Sequence, residues 1–198
     1  TTIKEIFNFS LANYIVGLIG GTPALIFPII ILQVLSADDS AYFYIAFSIA
    51  SVLFMIPSAL STSLYAEGCV QESTFRMNKK QAIKQAYLML APALAIIIFF
   101  GDKLLLLFGK SYSINGHFLL TVLAISSLFM VHSSFYITYL KINLRNMEFE
   151  ALTLISTIGL LLLSYLLLLN KGLIGLGLAY LIYSAASGIY ATIRSGYK

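Results

Sequence analysis

Tryptophan is absent from this chain, cysteine occurs once, histidine twice, and charged residues fill only 10% of 198 positions. Each scarcity excludes something. A lone Cys69 allows neither an internal disulfide nor a zinc cluster, so redox compartment stays open. His117 and His132 lie far apart in sequence. No HExxH, DxxD or glycine-rich phosphate cradle is present. Acidic residues avoid the centres of the apolar stretches, so no paired carboxylates, metal set or nucleophile with its base can be assembled. The sequence therefore predicts no catalytic residues, no metal and no cofactor. The net charge of +4 looks basic, but the cations are scattered at the ends of apolar runs. Nucleic-acid binding needs a contiguous basic face, and none is available. Topology setting and contact with anionic lipid headgroups account for the cations more economically.

What the chain has in abundance is apolar length. Hydrophobic residues make up 60% of it, well above soluble averages. Phe9–Leu35, Tyr42–Ala66, Ala82–Phe100, Phe118–Leu140, Ala151–Leu169 and Leu173–Ile193 are six apolar stretches. Each reaches or approaches the roughly 20 residues that cross a bilayer. Counting Lys84 at the start of the third stretch, Lys and Arg number nine in the two tails and the second and fourth gaps, against three in the other gaps. The positive-inside rule then puts both termini in the cytoplasm. The expected fold is an all-α integral membrane protein of six transmembrane helices, one embedded unit over residues 1–198. Its expected place is the cytoplasmic membrane. The first run is too long, and lacks the small-residue site, for a cleavable signal peptide. A start at Thr1-Thr2 rather than methionine suggests an excerpt of something longer.

Short connections carry helix punctuation. Ser36-Ala-Asp-Asp39 has capping-box spacing, and its acids suit a helix N-terminus. Asn146 with Glu148 and Glu150 serves the same purpose ahead of span five. Glu67–Gln81 reads as a cytoplasmic loop leading into a helix, with Glu67 paired to Arg76 or Lys84. Gly101–His117 reads as an outer connection whose apolar Lys103–Phe108 lies at the interface, with Gly109 and Gly116 bracketing a turn. Tyr42, Phe43 and Tyr44 fit an outer aromatic belt, Tyr190 and Tyr197 an inner one.

Span one departs most from a plain helix, with Gly17, Gly20, Gly21, Pro23 and Pro28 in one stretch. Proline removes a backbone donor and crowds the preceding turn, so a bend or break is expected. Gly/Pro-interrupted spans often mark the substrate path of secondary transporters. Gly17, Gly21, Pro23 and Pro28 are thus hinge candidates, although Gly17-x-x-x-Gly21 also suits close helix packing. Pro57 and Pro92 repeat the theme more weakly.

Uncharged polar side chains are numerous inside the spans. Hydroxyls, amides and aromatic faces are the groups that bind sugar rings. Asn13, Tyr14, Gln33, His132, Tyr136 and Tyr139 are therefore substrate-path candidates, while interhelical hydrogen bonding is the plainer role for such residues. His132 sits mid-span, where an ionisable group points to function. A neutral imidazole bonded to a neighbouring Ser or Tyr is the expected state.

Several segments in order resemble a known family. Ser36–Tyr44 is similar to an acidic turn followed by an aromatic-led helix. Ile56-Pro-Ser-Ala-Leu-Ser-Thr-Ser-Leu64 is similar to the family's second helix. Leu107-Phe-Gly-Lys-Ser-Tyr112 matches an outer turn, and Lys171–Ala179 a glycine-rich lead-in to the last helix. Over essentially its whole length the chain resembles the C-terminal half of an oligosaccharide flippase of the polysaccharide-transporter family. That family belongs to the multidrug/oligosaccharidyl-lipid/polysaccharide exporter superfamily. The resemblance implies one six-helix lobe of a two-lobe alternating-access transporter, with a second lobe in the same polypeptide or another chain. Its implied partners are the bilayer and a lipid-linked glycan. Such cavities commonly carry arginines suited to phosphate, yet no Arg or Lys lies deep in these spans. Any phosphate-gripping cation would come from the other lobe or from Lys141 and Arg145. A small-molecule antiporter of the same superfamily, and a membrane enzyme acting on lipid-linked sugars, are the alternatives.

Overall fold

The computed structural model describes the backbone over Ile3–Val70 and Glu72–Gly196, and side chains over residues 14–70 and 77–194. All described elements are helical: α1 (Ile3–Val34), α2 (Ala37–Val70), α3 (Glu72–Leu106), α4 (Lys110–Ile142) and α5 (Asn146–Gly196). Five are long and apolar enough to cross a membrane, with usable lengths of 21, 34, 30, 33 and 49 residues. A helix rises about 1.5 Å per residue, so the 34 residues of α2 reach roughly 51 Å and outrun a 30 Å hydrocarbon core. In lipid every backbone group must be satisfied within the segment, which is why the connections shrink and the helices overrun their apolar cores.

That overrun corrects three expectations. The long loop expected over 67–81 is largely helix, because α2 continues to Val70 and α3 starts at Glu72. Lys103-Leu-Leu-Leu106 is no separate interfacial segment; it is the last turn of α3. The turn between α3 and α4 is Leu107–Gly109, with Gly109 at φ 134°. Gly116 lies inside α4, against Leu105, and Gly101 lies against His117. Both glycines let α3 and α4 approach closely. Phe43 is no belt residue either: it is fully buried, while Tyr44 beside it is exposed.

Sequence punctuation holds at the start of α2. The Asp39 amide donates to Ser36 Oγ at 3.0 Å, and Ser36 Oγ donates to the Asp39 carboxylate at 2.6 Å. Span one keeps the α-helical pattern from Ile3 to Val34, through Pro23 and Pro28. The expected break is therefore not in its backbone. Nearby hydroxyls bond backbone carbonyls there, Thr22 to Leu18 at 2.9 Å and Ser40 of α2 to Pro28 at 2.9 Å.

The break lies in α5 instead, at Gly172, with φ 60° and ψ −146°. That region is essentially closed to residues with a Cβ. The Tyr136 hydroxyl donates to Glu148 at 3.1 Å, and the Tyr136 ring lies 6.0 Å from Tyr190. A straight helix would hold Glu148 and Tyr190 about 63 Å apart. Both meet one tyrosine, so α5 reverses at Gly172 into two arms, 146–171 and 173–196. Past the turn the arms touch so closely that a Cβ at Gly175 would run into the Leu167 carbonyl.

Helix α4 is the hub. Half of its apolar window is buried, against 22–28% in the others. It packs on α2, α3 and α5, and α1 closes against α5 and α2. An aromatic chain runs through the core, from Phe27 of α1 to Phe43, Phe47 and Phe54 of α2 and then Tyr180 of α5, with centroids 5.4–6.2 Å apart. Lipid is as apolar as leucine, so association rests on fitted contacts of this kind rather than on hydrophobic force.

Candidate functional site

The polar side chains singled out in the sequence do not converge on one cavity. Asn13's side chain lies outside the described residues. Tyr14 is 64% exposed, and Gln33 is exposed near the opposite end of α1. The 19 residues between Tyr14 and Gln33 put roughly 28 Å of helix between them. His132, Tyr136 and Tyr139 share a stripe of α4, since positions three and four apart lie on one helix face.

His132 faces α3. Its ring lies 6.0 Å from Tyr87, and Lys79 of α3 is within electrostatic reach. The expected hydrogen bond to a neighbouring Ser or Tyr is not formed. Tyr87 donates to the Leu128 carbonyl at 3.2 Å, and Ser133 donates to Ser187 of α5 at 3.1 Å. These hydroxyls tie helices together, the plainer of the two roles open to them.

Tyr136 is the centre of the densest polar cluster. It is 97% buried as judged by its 3% exposure, and its hydroxyl is given to Glu148. Arg145 forms an ion pair with the same carboxylate. Tyr139 stacks on Tyr136 at 6.3 Å, and Tyr190 meets it edge-on at 6.0 Å. Arg194, one turn beyond Tyr190, folds back over that ring at 5.8 Å. Lys141 caps the Phe149 ring at 4.6 Å. Three chain segments supply this cluster: the end of α4, the start of α5 and the end of α5. The sharp α4–α5 turn brings the first two together, with Leu144 in the left-handed region at φ 53° and the Arg145 amide bonded to the Leu140 carbonyl at 2.9 Å. Glu148 therefore does more than favour a helix N-terminus.

Of the two loop cations expected to take phosphate, Arg145 is held by Glu148 and Lys141 by an aromatic face. Arg194 joins them through Tyr190, and the sequence hides this because Tyr136, which Tyr190 meets, is 54 positions before it. Its only signal was a cation one turn after Tyr190 on a helix end.

A second polar spot lies between α2 and α3, a groove of about 220 Å³ whose walls include Ser63, Glu67, Asn78, Gln81 and Gln85. Glu67 accepts a hydrogen bond from Asn78 at 2.9 Å, in place of the expected ion pair with Lys84; Arg76's side chain lies outside the described residues. Cys69 is exposed on the last turn of α2, and no group of three metal-binding side chains occurs among the described residues.

On α1, the Gly17 and Gly21 positions meet nothing within 4 Å, whereas Gly20 meets Thr153 of α5 at 3.6 Å. The small-residue face expected to pack is uncovered, and Tyr14, Leu18 and Leu25 continue it.

No protein-family model, curated protein or solved structure matches this chain. The fold itself defines an all-helical, multi-pass membrane protein.

Proposed function

We propose that the chain is one six-span lobe of an alternating-access exporter. It would move a lipid-linked oligosaccharide from the inner to the outer leaflet of the cytoplasmic membrane. The two arms of α5 count as separate spans, and both termini face the cytoplasm, where most cations gather. The observation that carries the reading is the outward face of α1. Gly17, Gly21 and Tyr14 turn away from their own lobe, on the one helix that also holds Pro23 and Pro28. A Gly/Pro-rich helix with an uncovered small-residue face suits a wall that bends and slides against an opposing lobe. The resemblance in Ser36–Tyr44, Leu107–Tyr112 and Lys171–Ala179 points the same way. The partner lobe belongs to the same polypeptide or to another chain.

The test is transbilayer movement of a fluorescent polyprenyl-diphosphate oligosaccharide in vesicles holding the native gene product with its partner lobe. Movement should exceed that of protein-free vesicles and fall at least tenfold in Pro23→Ala/Pro28→Ala, an effect of roughly 1.4 kcal/mol on the barrier. Movement no faster than in empty vesicles would sink the transport reading. Unchanged movement in the double variant would remove the hinge.

A further inference from the structure

The end of the bundle where α4 finishes and α5 both begins and ends has a charge arrangement that helix capping does not explain. Arg145 comes from the turn before α5 and Arg194 from its second arm, yet both reach the surroundings of Tyr136: Arg145 through Glu148, Arg194 through Tyr190. Lys141 stands beside them over Phe149. Against these three cations stand Glu148 and, on the next positions of the helix, Glu150. Positive charge is in excess even with both acids ionised. Only Glu148 is held by the cluster's own donors, taking the Tyr136 hydroxyl and the Arg145 guanidinium together.

We propose that this cluster is a binding site for a phosphate headgroup at the membrane surface, with Glu148 as the internal occupant that the phosphate displaces. A phosphate offers acceptor oxygens of the kind Glu148 now provides, and guanidinium groups fit them in pairs. Displacement frees the Arg145 fork and the Tyr136 hydroxyl for the incoming group. Arg194, exposed and resting on an aromatic ring, swings in without breaking an ion pair. Tyr139 and Tyr190 form the aromatic wall at interfacial depth, where such rings sit well. The source of the phosphate is either a bulk anionic lipid or the carrier lipid of a glycan. The site stands on its own charge chemistry and does not require the transport reading.

The test is native mass spectrometry of the full chain released from micelles. The probes are phosphatidylglycerol and a polyprenyl monophosphate, with phosphatidylcholine as the neutral reference. Arg145→Gln and Arg194→Gln should each weaken phosphate-lipid binding by roughly tenfold or more, the equivalent of a lost charge-assisted hydrogen bond. Glu148→Gln should strengthen it, because the competing carboxylate is gone. Phosphatidylcholine binding should not move, and Lys103→Gln on the other end of α3 should leave both probes unaffected. A response of both lipids assigns bulk phosphate headgroups as ligands; a response of the polyprenyl phosphate alone assigns the carrier. Unchanged binding in Arg194→Gln overturns the proposal, and so does weaker binding in Glu148→Gln. Arg194 is exposed, so its variant folds whatever the fate of the Glu148 substitutions. Phosphatidylglycerol binding that depends on these residues, in a protein that moves no oligosaccharide, would keep this site and remove the flippase reading.

Discussion

Gly188 is where the second arm of α5 crosses α4 most closely, and replacing it with alanine tests that crossing directly. A Cβ at Gly188 would stand 2.6 Å from the Phe129 carbonyl oxygen and 3.3 Å from the Phe129 Cβ. Ordinary contact starts at 3.4 Å, so the helices must part by roughly 0.8 Å. The obstacle is backbone, which cannot rotate away as a side-chain tip would. Overpacking of this kind costs about 1–3 kcal/mol. The neighbouring Ser133–Ser187 bond, 3.1 Å long, would stretch with it, and such interhelical bonds are worth about 0.6 kcal/mol. Alanine recovers about 1 kcal/mol as a better helix former. The net expectation for Gly188→Ala is a loss of about 1–2 kcal/mol. Gly159→Ala supplies the control, because nothing lies within 4 Å of that position; there alanine should gain about 0.5–1 kcal/mol. The two variants thus differ in sign. Reversible unfolding in mixed micelles, followed by helical circular dichroism, measures both. If Gly188→Ala proves as stable as Gly159→Ala, the second arm of α5 and α4 do not cross as described.

Two further outcomes follow from the helix ends. Cys69 is the only cysteine and is exposed, so a membrane-impermeant maleimide should label it in inside-out vesicles and not in intact cells; labelling from outside would reverse the proposed orientation. Ser36→Ala should cost about 1 kcal/mol in the same unfolding assay, the usual loss for an N-cap, because it removes the acceptor of the Asp39 amide.

Much of the fold was legible because the bilayer enforces a simple code. Apolar length located the helices, and Ser36 with Asp39 gave a cap that the geometry reproduces. Helix ends were less legible. Glu67–Gln81 and Lys103–Leu106 look polar or short on a hydropathy scale, but they contain no proline and little glycine, so α2 and α3 run on past their apolar cores before the chain turns. The break was misplaced for a related reason. Prolines in α1 announce a lost donor, yet α1 stays α-helical across both, whereas Gly172 breaks the chain through a backbone conformation that its sequence letter only permits. The candidate site was half legible. Tyr136, Tyr139 and Arg145 are close in sequence and close in space. Tyr190 and Arg194 join them only because α5 doubles back, a fact of topology that no local pattern encodes.

The uncovered face of α1 ties these observations to function. Glycine in a helix interior costs about 1 kcal/mol relative to alanine, so Gly17 and Gly21 together cost about 2 kcal/mol in isolation. Within a packed lobe that cost is normally offset by backbone approach, as at Gly188 against Phe129 and at Gly177 against Leu119. At Gly17 and Gly21 no neighbour among the described residues supplies the offset. Lipid cannot supply it either, because acyl chains pack against alanine as well as against glycine. Gly159 is open in the same way, so it is the pairing of Gly17 and Gly21 on the helix that carries Pro23 and Pro28 that fits the proposed transport role: an opposing helix that comes close, or a motion that a stiffer helix would not make. On the proposed transport reading both would belong to a wall between two lobes, which is why stiffening α1 at its prolines, and not mutation of a buried polar residue, is the decisive perturbation for that reading.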